Sequence, residues 1–137
     1  MIQIFTGAKG EGKTKKILEM ANDIVKSTNG HIVFIDDDKR SIYNLPYEIR
    51  FVDTSDFMIN DLNILFGFIC GILSQDNDIE KIFIDGVDNI VKEFDNNSLN
   101  FFINFIEKIS NKTNVDFIMS LNKTKEEFSE NLKEYLV

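Results

Sequence analysis

Met1-Ile2-Gln3-Ile4-Phe5-Thr6-Gly7-Ala8-Lys9-Gly10-Glu11-Gly12-Lys13-Thr14 opens the chain with an apolar run of strand composition, followed by a glycine-rich octapeptide ending in Lys13-Thr14. The octapeptide, Gly7 to Thr14, satisfies G-x-x-x-x-G-K-[ST]. Helical periodicity begins at Lys13 and runs through residue 27, with Ile17, Leu18, Ala21, Ile24 and Val25 on one face. Strand, loop and helix in that order are the context the pattern needs. A polyphosphate is best held by several backbone N–H groups pointing inward, and that requires glycines able to take unusual dihedrals. Gly7, Gly10 and Gly12 supply the freedom, with Ala8, Lys9 and Glu11 between them. The helix start adds the positive end of its dipole, Lys13 reaches β- and γ-phosphates, and the Thr14 hydroxyl is a ligand for Mg²⁺.

Outward from this stretch, isoleucine-rich runs alternate with helical periodicity. A second strand at 31–35 runs into Asp36-Asp37-Asp38-Lys39-Arg40, and an irregular stretch with Pro46 leads to a third strand at 49–52. Asp53, Thr54 and Ser55 are then expected to cap a helix carrying the apolar run 62–73, whose Gly67 and Gly71 would allow close packing on a sheet. A fourth strand, 81–85, turns at Gly86 into periodicity at Val87, Ile90, Val91 and Phe94. A longer amphipathic helix follows, with Leu99, Phe102, Ile103, Ile106 and Ile109 inward. The last strand is expected at 115–121 and a last helix at 124–136, with Phe128, Leu132 and Leu136 at i, i+4 and i+8. The expected architecture is α/β: three layers, α/β/α, around a mainly parallel five-stranded sheet. Ligands of such sheets sit beyond the carboxyl ends of the strands, so the residues just after each strand are the ones that matter.

Composition bounds the reading. The chain has 137 residues, 43% hydrophobic and 12% aromatic with one proline, and no linker-like tract, so a single domain over 1–137 is expected. A net charge of -8 argues against direct nucleic-acid binding, which runs on clustered Lys and Arg. Cys70 is alone and His31 is the only histidine, which excludes an internal disulfide and a structural zinc site. The apolar run at 62–73 is shorter than the ~20 residues of a spanning helix, so no membrane contact is expected. The start of the chain has no signal-peptide character, and the expected location is the cytoplasm.

A second motif completes the pattern: Ile82-Phe83-Ile84-Asp85, an apolar strand ending in a carboxylate. With the glycine-rich loop, it resembles the P-loop NTPases, and the resemblance spans the chain from first strand to last. It implies a P-loop NTPase core, Asp85 as the Walker B aspartate holding Mg²⁺, and ATP with Mg²⁺ as the bound species. The chain is similar to small bacterial ATP-binding proteins, some of which carry a twitching-motility ATPase label. Those motors are much larger and contain histidine motifs that a chain with only His31 does not reproduce.

The pattern also breaks in places. Gly86 follows Asp85, where additional-strand ATPases carry a water-orienting glutamate; Asp85-Gly86-Val87-Asp88 is not D-x-x-G, and Asn122-Lys123-Thr124-Lys125 is not N-K-x-D. Carboxylates able to act as base are Asp88, which also reads as a helix N-cap, and Asp36 or Asp37, which also read as a solvated turn. Ser120 and Asn122 resemble in position a polar sensor near the γ-phosphate, which would place the last strand between those of the phosphate loop and Asp85. Only Arg40 and Arg50 accompany 13 lysines, so charge stabilisation beyond Lys13 falls to Arg40 or to a partner. The expected function is a Mg²⁺-dependent ATP-binding protein with slow or partner-stimulated hydrolysis, the partner being another protein or a second copy. The alternatives are a nucleotide-gated interaction module without turnover and a kinase for a small nucleoside-like acceptor.

Overall fold

Alternation along the strands builds the fold. In the computed structural model, which describes residues 1–137, the strands are β1 (Ile2–Phe5), β2 (His31–Asp36), β3 (Ile49–Asp53), β4 (Ile79–Ile84) and β5 (Asp116–Ser120). The helices are α1 (Lys13–Ile24), α2 (Leu62–Ser74), α3 (Val87–Ile90) and α4 (Asn96–Thr113). Short 3-10 segments occupy Lys39–Asn44, Lys125–Glu127 and Glu130–Tyr135. Ile32, Phe34, Phe83 and Ile118 point to one side of the sheet, where Ile17 and Ala21 of α1 cover them. Val33, Ile35, Ile82, Ile84, Phe117 and Met119 point to the other, under Leu65 and Ile69 of α2 and Phe102, Ile103 and Ile106 of α4. The α1 side is tied across strands by stacked rings, Phe51 on Phe34 at 6.3 Å and Phe34 on Phe83 at 5.9 Å.

The five strands are parallel throughout, in the order β1-β5-β4-β2-β3. The step from β1 to β2 crosses the sheet one way, and the steps from β3 to β4 and β4 to β5 return the other way. Right-handed crossovers therefore put α1 on one face and α2 and α4 on the opposite one. β5 lies between β1 and β4, as expected from the sensor-like position of Ser120. The carboxyl ends of β1, β4 and β5 meet where the winding reverses, which is where open α/β sheets bind ligands.

Several local expectations are corrected. Asp61 caps α2, accepting from the Ile64 N–H at 2.8 Å, while Asp53 closes a separate turn on the Ser55 N–H at 3.0 Å. Gly67 and Gly71 face outward, and a Cβ on either would meet nothing within 4 Å. The helix after Gly86 lasts one turn and ends at Val91, which is extended (φ -112, ψ 104); Phe94 follows half-buried. The helix expected at 124–136 is two 3-10 turns interrupted by extended backbone at Phe128 and Ser129, neither turn having a side-chain cap. Phe128 and Leu132 are still buried, so the apolar spacing reported burial rather than helix. Leu136 instead pairs in parallel with Ile4 on the open edge of β1, and the Val137 N–H donates to the Ile4 carbonyl at 2.9 Å. No helix is long and apolar enough to cross a membrane.

Candidate functional site

The loop between β1 and α1 is shaped by its glycines. Gly7 (φ 141), Gly10 (φ 86) and Gly12 (φ 84) all take positive φ, and Gly12 forms the left-handed N-cap of α1 without a side-chain cap. The first N–H groups of α1 therefore have no side-chain acceptor and face the loop, the arrangement that binds anions. The loop is anchored at its start, where the Gly7 N–H donates to the Lys123 carbonyl at 2.9 Å. Lys13 is only 8% exposed, and its Nζ donates to the Gly7 and Ala8 carbonyls at 3.0 and 2.7 Å. The ammonium thus folds back onto the loop it belongs to.

Thr14, one residue into α1, donates from Oγ1 to Oδ2 of Asp85 at 2.9 Å, across 71 residues of sequence. The other carboxylate oxygen, Oδ1, accepts from the Ser120 hydroxyl at 2.8 Å, and Ser120 in turn accepts from the Gly86 N–H at 2.8 Å. These contacts join the ends of β4 and β5 to the start of α1. A cavity of about 430 Å³ lies over them, lined by Lys9, Gly10, Gly12, Lys13, Thr14, Asp85, Gly86, Asn89, Ser120 and Asn122. A larger groove of about 620 Å³ runs along α1 past Lys15, Glu19 and Asn44, sharing only Thr14 with the first. Its lining is open helix surface without convergent buried groups, so the smaller cavity is the candidate site.

Asp36 ends β2, and β2 pairs with β4 so that Ile35 lies opposite Ile84, placing the following residues, Asp36 and Asp85, on neighbouring strands. Far from being a solvated turn residue, Asp36 is 4% exposed. It accepts from the Ser41 hydroxyl at 2.7 Å and from the Asp38 N–H at 3.2 Å. Burial pushes its pKa up to about 7, and the charge of Asp85 adds to the rise. Burial raises Asp85 as well, against the pull of its Ser120 and Thr14 hydrogen bonds, with half-buried Asp37 adding repulsion. Burial is the first cause of both rises, and repulsion from neighbouring carboxylates adds to it.

The remaining candidates divide. Asp88 is not an N-cap, since Gly86 (φ 73) has that position; its carboxylate accepts from the Asn122 N–H at 3.1 Å and fixes the β5 end. Asn122 lines the cavity, whereas Asp88 does not. Arg40, 88% exposed at its side chain, is forked onto Asp38, with contacts from 2.5 to 3.0 Å. That pair holds Asp38 down to about 2. Arg50 donates to Asp76 at 2.7 Å, at the amino-terminal end of the sheet. Neither arginine lines the cavity. Sequence reasoning missed Ser41 and Asn89. Ser41 follows Asp36 by five residues, but only the 3-10 turn brings its hydroxyl back to that carboxylate; Asn89 carries no motif signal at all. Against known proteins, no family model matches this chain and no curated protein matches it.

Proposed function

We propose that this chain is a P-loop NTPase that binds ATP with Mg²⁺ and hydrolyses it slowly or under stimulation by a partner. The observation that carries the reading is the Thr14–Asp85 hydrogen bond at 2.9 Å, set beside a loop of three positive-φ glycines and a buried lysine. The hydroxyl and carboxylate are hard oxygen donors held 2.9 Å apart at the cavity floor, and such donors fit a small divalent cation. Thr14 and Asp85 would hold Mg²⁺, and the backbone of residues 7–14 would hold the phosphates. When bound, the metal supplies charge neutralisation across the β- and γ-phosphates.

The protein's own part follows from its contacts. Lys13 leaves the Gly7 and Ala8 carbonyls and turns toward phosphate, exchanging two neutral acceptors for charged ones. Ser120 keeps Asp85 oriented, and Asn122 stands in the cavity wall beside it. Asp36, raised by burial to about 7, is the buried carboxylate beside Asp85; its oxygens are engaged by Ser41 and the Asp38 N–H, as Asp88 is by the Asn122 N–H, and neither lines the cavity, in keeping with slow turnover. With both arginines bound elsewhere, rapid turnover calls for a cation brought by a partner, which also weighs against the kinase reading. Gly86 in place of a glutamate supports the second reading, a nucleotide-gated module without turnover. A cytoplasmic location is proposed on the same terms, from the lone Cys70.

The decisive measurement is calorimetric titration with Mg²⁺–ATP of the wild-type chain and of Lys13→Ala, alongside phosphate release. Binding at least tenfold weaker in the variant supports the proposal. No binding, or equal binding, refutes it. Binding with phosphate release no faster than that of Lys13→Ala leaves the gated module.

A further inference from the structure

Helix α2 has no charged residue among its thirteen, although the chain carries a net charge of -8. Its outer face is not covered. Ile64 is 43% exposed, and on neighbouring α4 Phe101 is 62% and Phe105 36% exposed. Phe66 packs on Phe105 at 5.3 Å between ring centres and Phe105 on Phe101 at 6.5 Å, so the exposed rings form one continuous surface. Gly67 and Gly71 leave a bare channel along the outer side of α2.

The charges at the two ends of this face are opposite. α2 and α4 both return from parallel strands on the same side of the sheet, so they run in the same direction, and a groove lined by Asp61, Ser98, Phe101 and Phe105 joins their amino-terminal ends. There Asp61 and Asp95 cap the helices, each accepting a backbone N–H on Oδ1. At the far end, Lys108 and Lys112 continue the Phe101–Phe105 stripe at helical spacing, both exposed and in no ion pair.

We propose that this α2–α4 face joins two copies of the chain in a two-fold dimer with the facing helices antiparallel. An isologous contact sets each end of the patch against the opposite end of the other copy, so Lys108 and Lys112 meet Asp61 and Asp95. A parallel arrangement would set like charges together. Two strongly acidic copies approach at low electrostatic cost through a face whose own charges balance. Its exposed apolar area, on the order of 300 Å² from Ile64 and the two rings, forms the centre of an interface that the glycine channel and charged rim extend toward the ~800 Å² per partner of a standard dimer.

Sedimentation velocity of the full chain over low to several hundred micromolar concentration tests the assignment, with circular dichroism to establish that variants stay folded. The wild-type chain dimerises. Phe101→Asp, at an exposed position, and Lys108→Glu/Lys112→Glu weaken dimerisation at least about tenfold. A wild-type monomer throughout overturns the proposal, as does a dimer that both folded variants leave unchanged. Geometry is tested in a Cys70→Ala background. With α2 crossing its copy near residue 69, Ile64→Cys chains oxidise onto Ser74→Cys chains faster than either onto itself. Faster Ile64→Cys self-pairing overturns the antiparallel arrangement. None of these readouts depends on nucleotide.

Discussion

Replacing Asp36 by Asn makes the stability of the protein less sensitive to pH, and by an amount the structure sets. Asp36 goes from an ordinary pKa of 3.8 to about 7 in the fold, chiefly through burial. A carboxyl with a raised pKa binds its proton more tightly when folded, so its contribution to stability is complete below about pH 4 and is lost as pH rises through 7. Three units at ~1.4 kcal/mol each set a ceiling of about 4 kcal/mol, and water entry and side-chain relaxation reduce the expectation to ~2–3 kcal/mol. Asn is the same size and stays neutral; its Oδ1 keeps the bond from Ser41 and the one from the Asp38 N–H is lost, a cost that does not vary with pH. Asp53, Asp76, Asp95 and Asp116, whose pKa values are lowered, tilt stability the other way only in acid and are common to both proteins. Urea unfolding of both chains at pH 5 and pH 8 isolates the effect. Asp36→Asn gains about 1–2 kcal/mol on the wild type between the two pH values, since about two of the three units fall in that window. Equal pH dependence in the two proteins would refute the reasoning, since Asp36 would then ionise as freely folded as unfolded.

Ser120→Ala takes a donor from Asp85 and an acceptor from the Gly86 N–H, both buried, and costs about 1–3 kcal/mol by chemical denaturation. The removed bond favours the charged carboxylate, so the Asp85 pKa rises further in the variant and the loss grows as pH rises; a variant as stable as the wild type would refute the role of the bond. Gly12→Ala meets no atom within 4 Å but keeps φ at 84, so it costs about 1–2 kcal/mol from backbone strain alone. An unchanged melting temperature would mean that the left-handed cap is not held in solution.

Much of the fold was legible because burial on both faces of a parallel sheet leaves continuous apolar runs, and the five runs are the five strands. The phosphate-loop reading needed only residues 1–14, since strand, glycines and helix are contiguous there. Elsewhere a local pattern misled. Phe128, Leu132 and Leu136 have helical spacing, yet they are drawn to the sheet edge and core through extended backbone, and spacing alone does not distinguish the two. Asp61 rather than Asp53 caps α2 because the chain between them forms its own turn on Asp53, with Thr54 buried and its N–H donating to the Asp36 carbonyl at 2.9 Å. The two arginines gave no sign of their partners, one two residues away and one across the sheet.

By itself the sequence determined the loop after β1, the strand ending at Asp85, and the parallel α/β layering, because each depends on neighbouring residues and on the period of burial. Only the tertiary structure decided that Ser120 and Thr14 each hold one oxygen of Asp85, that Asp36 is buried beside it, and that an uncharged helix face is turned to solvent. These depend on strand order and crossover side, which bring together residues up to 71 positions apart in the case of Thr14 and Asp85. Strand order is a global property of how helices cover both faces of a sheet, and no local stretch of chain carries it.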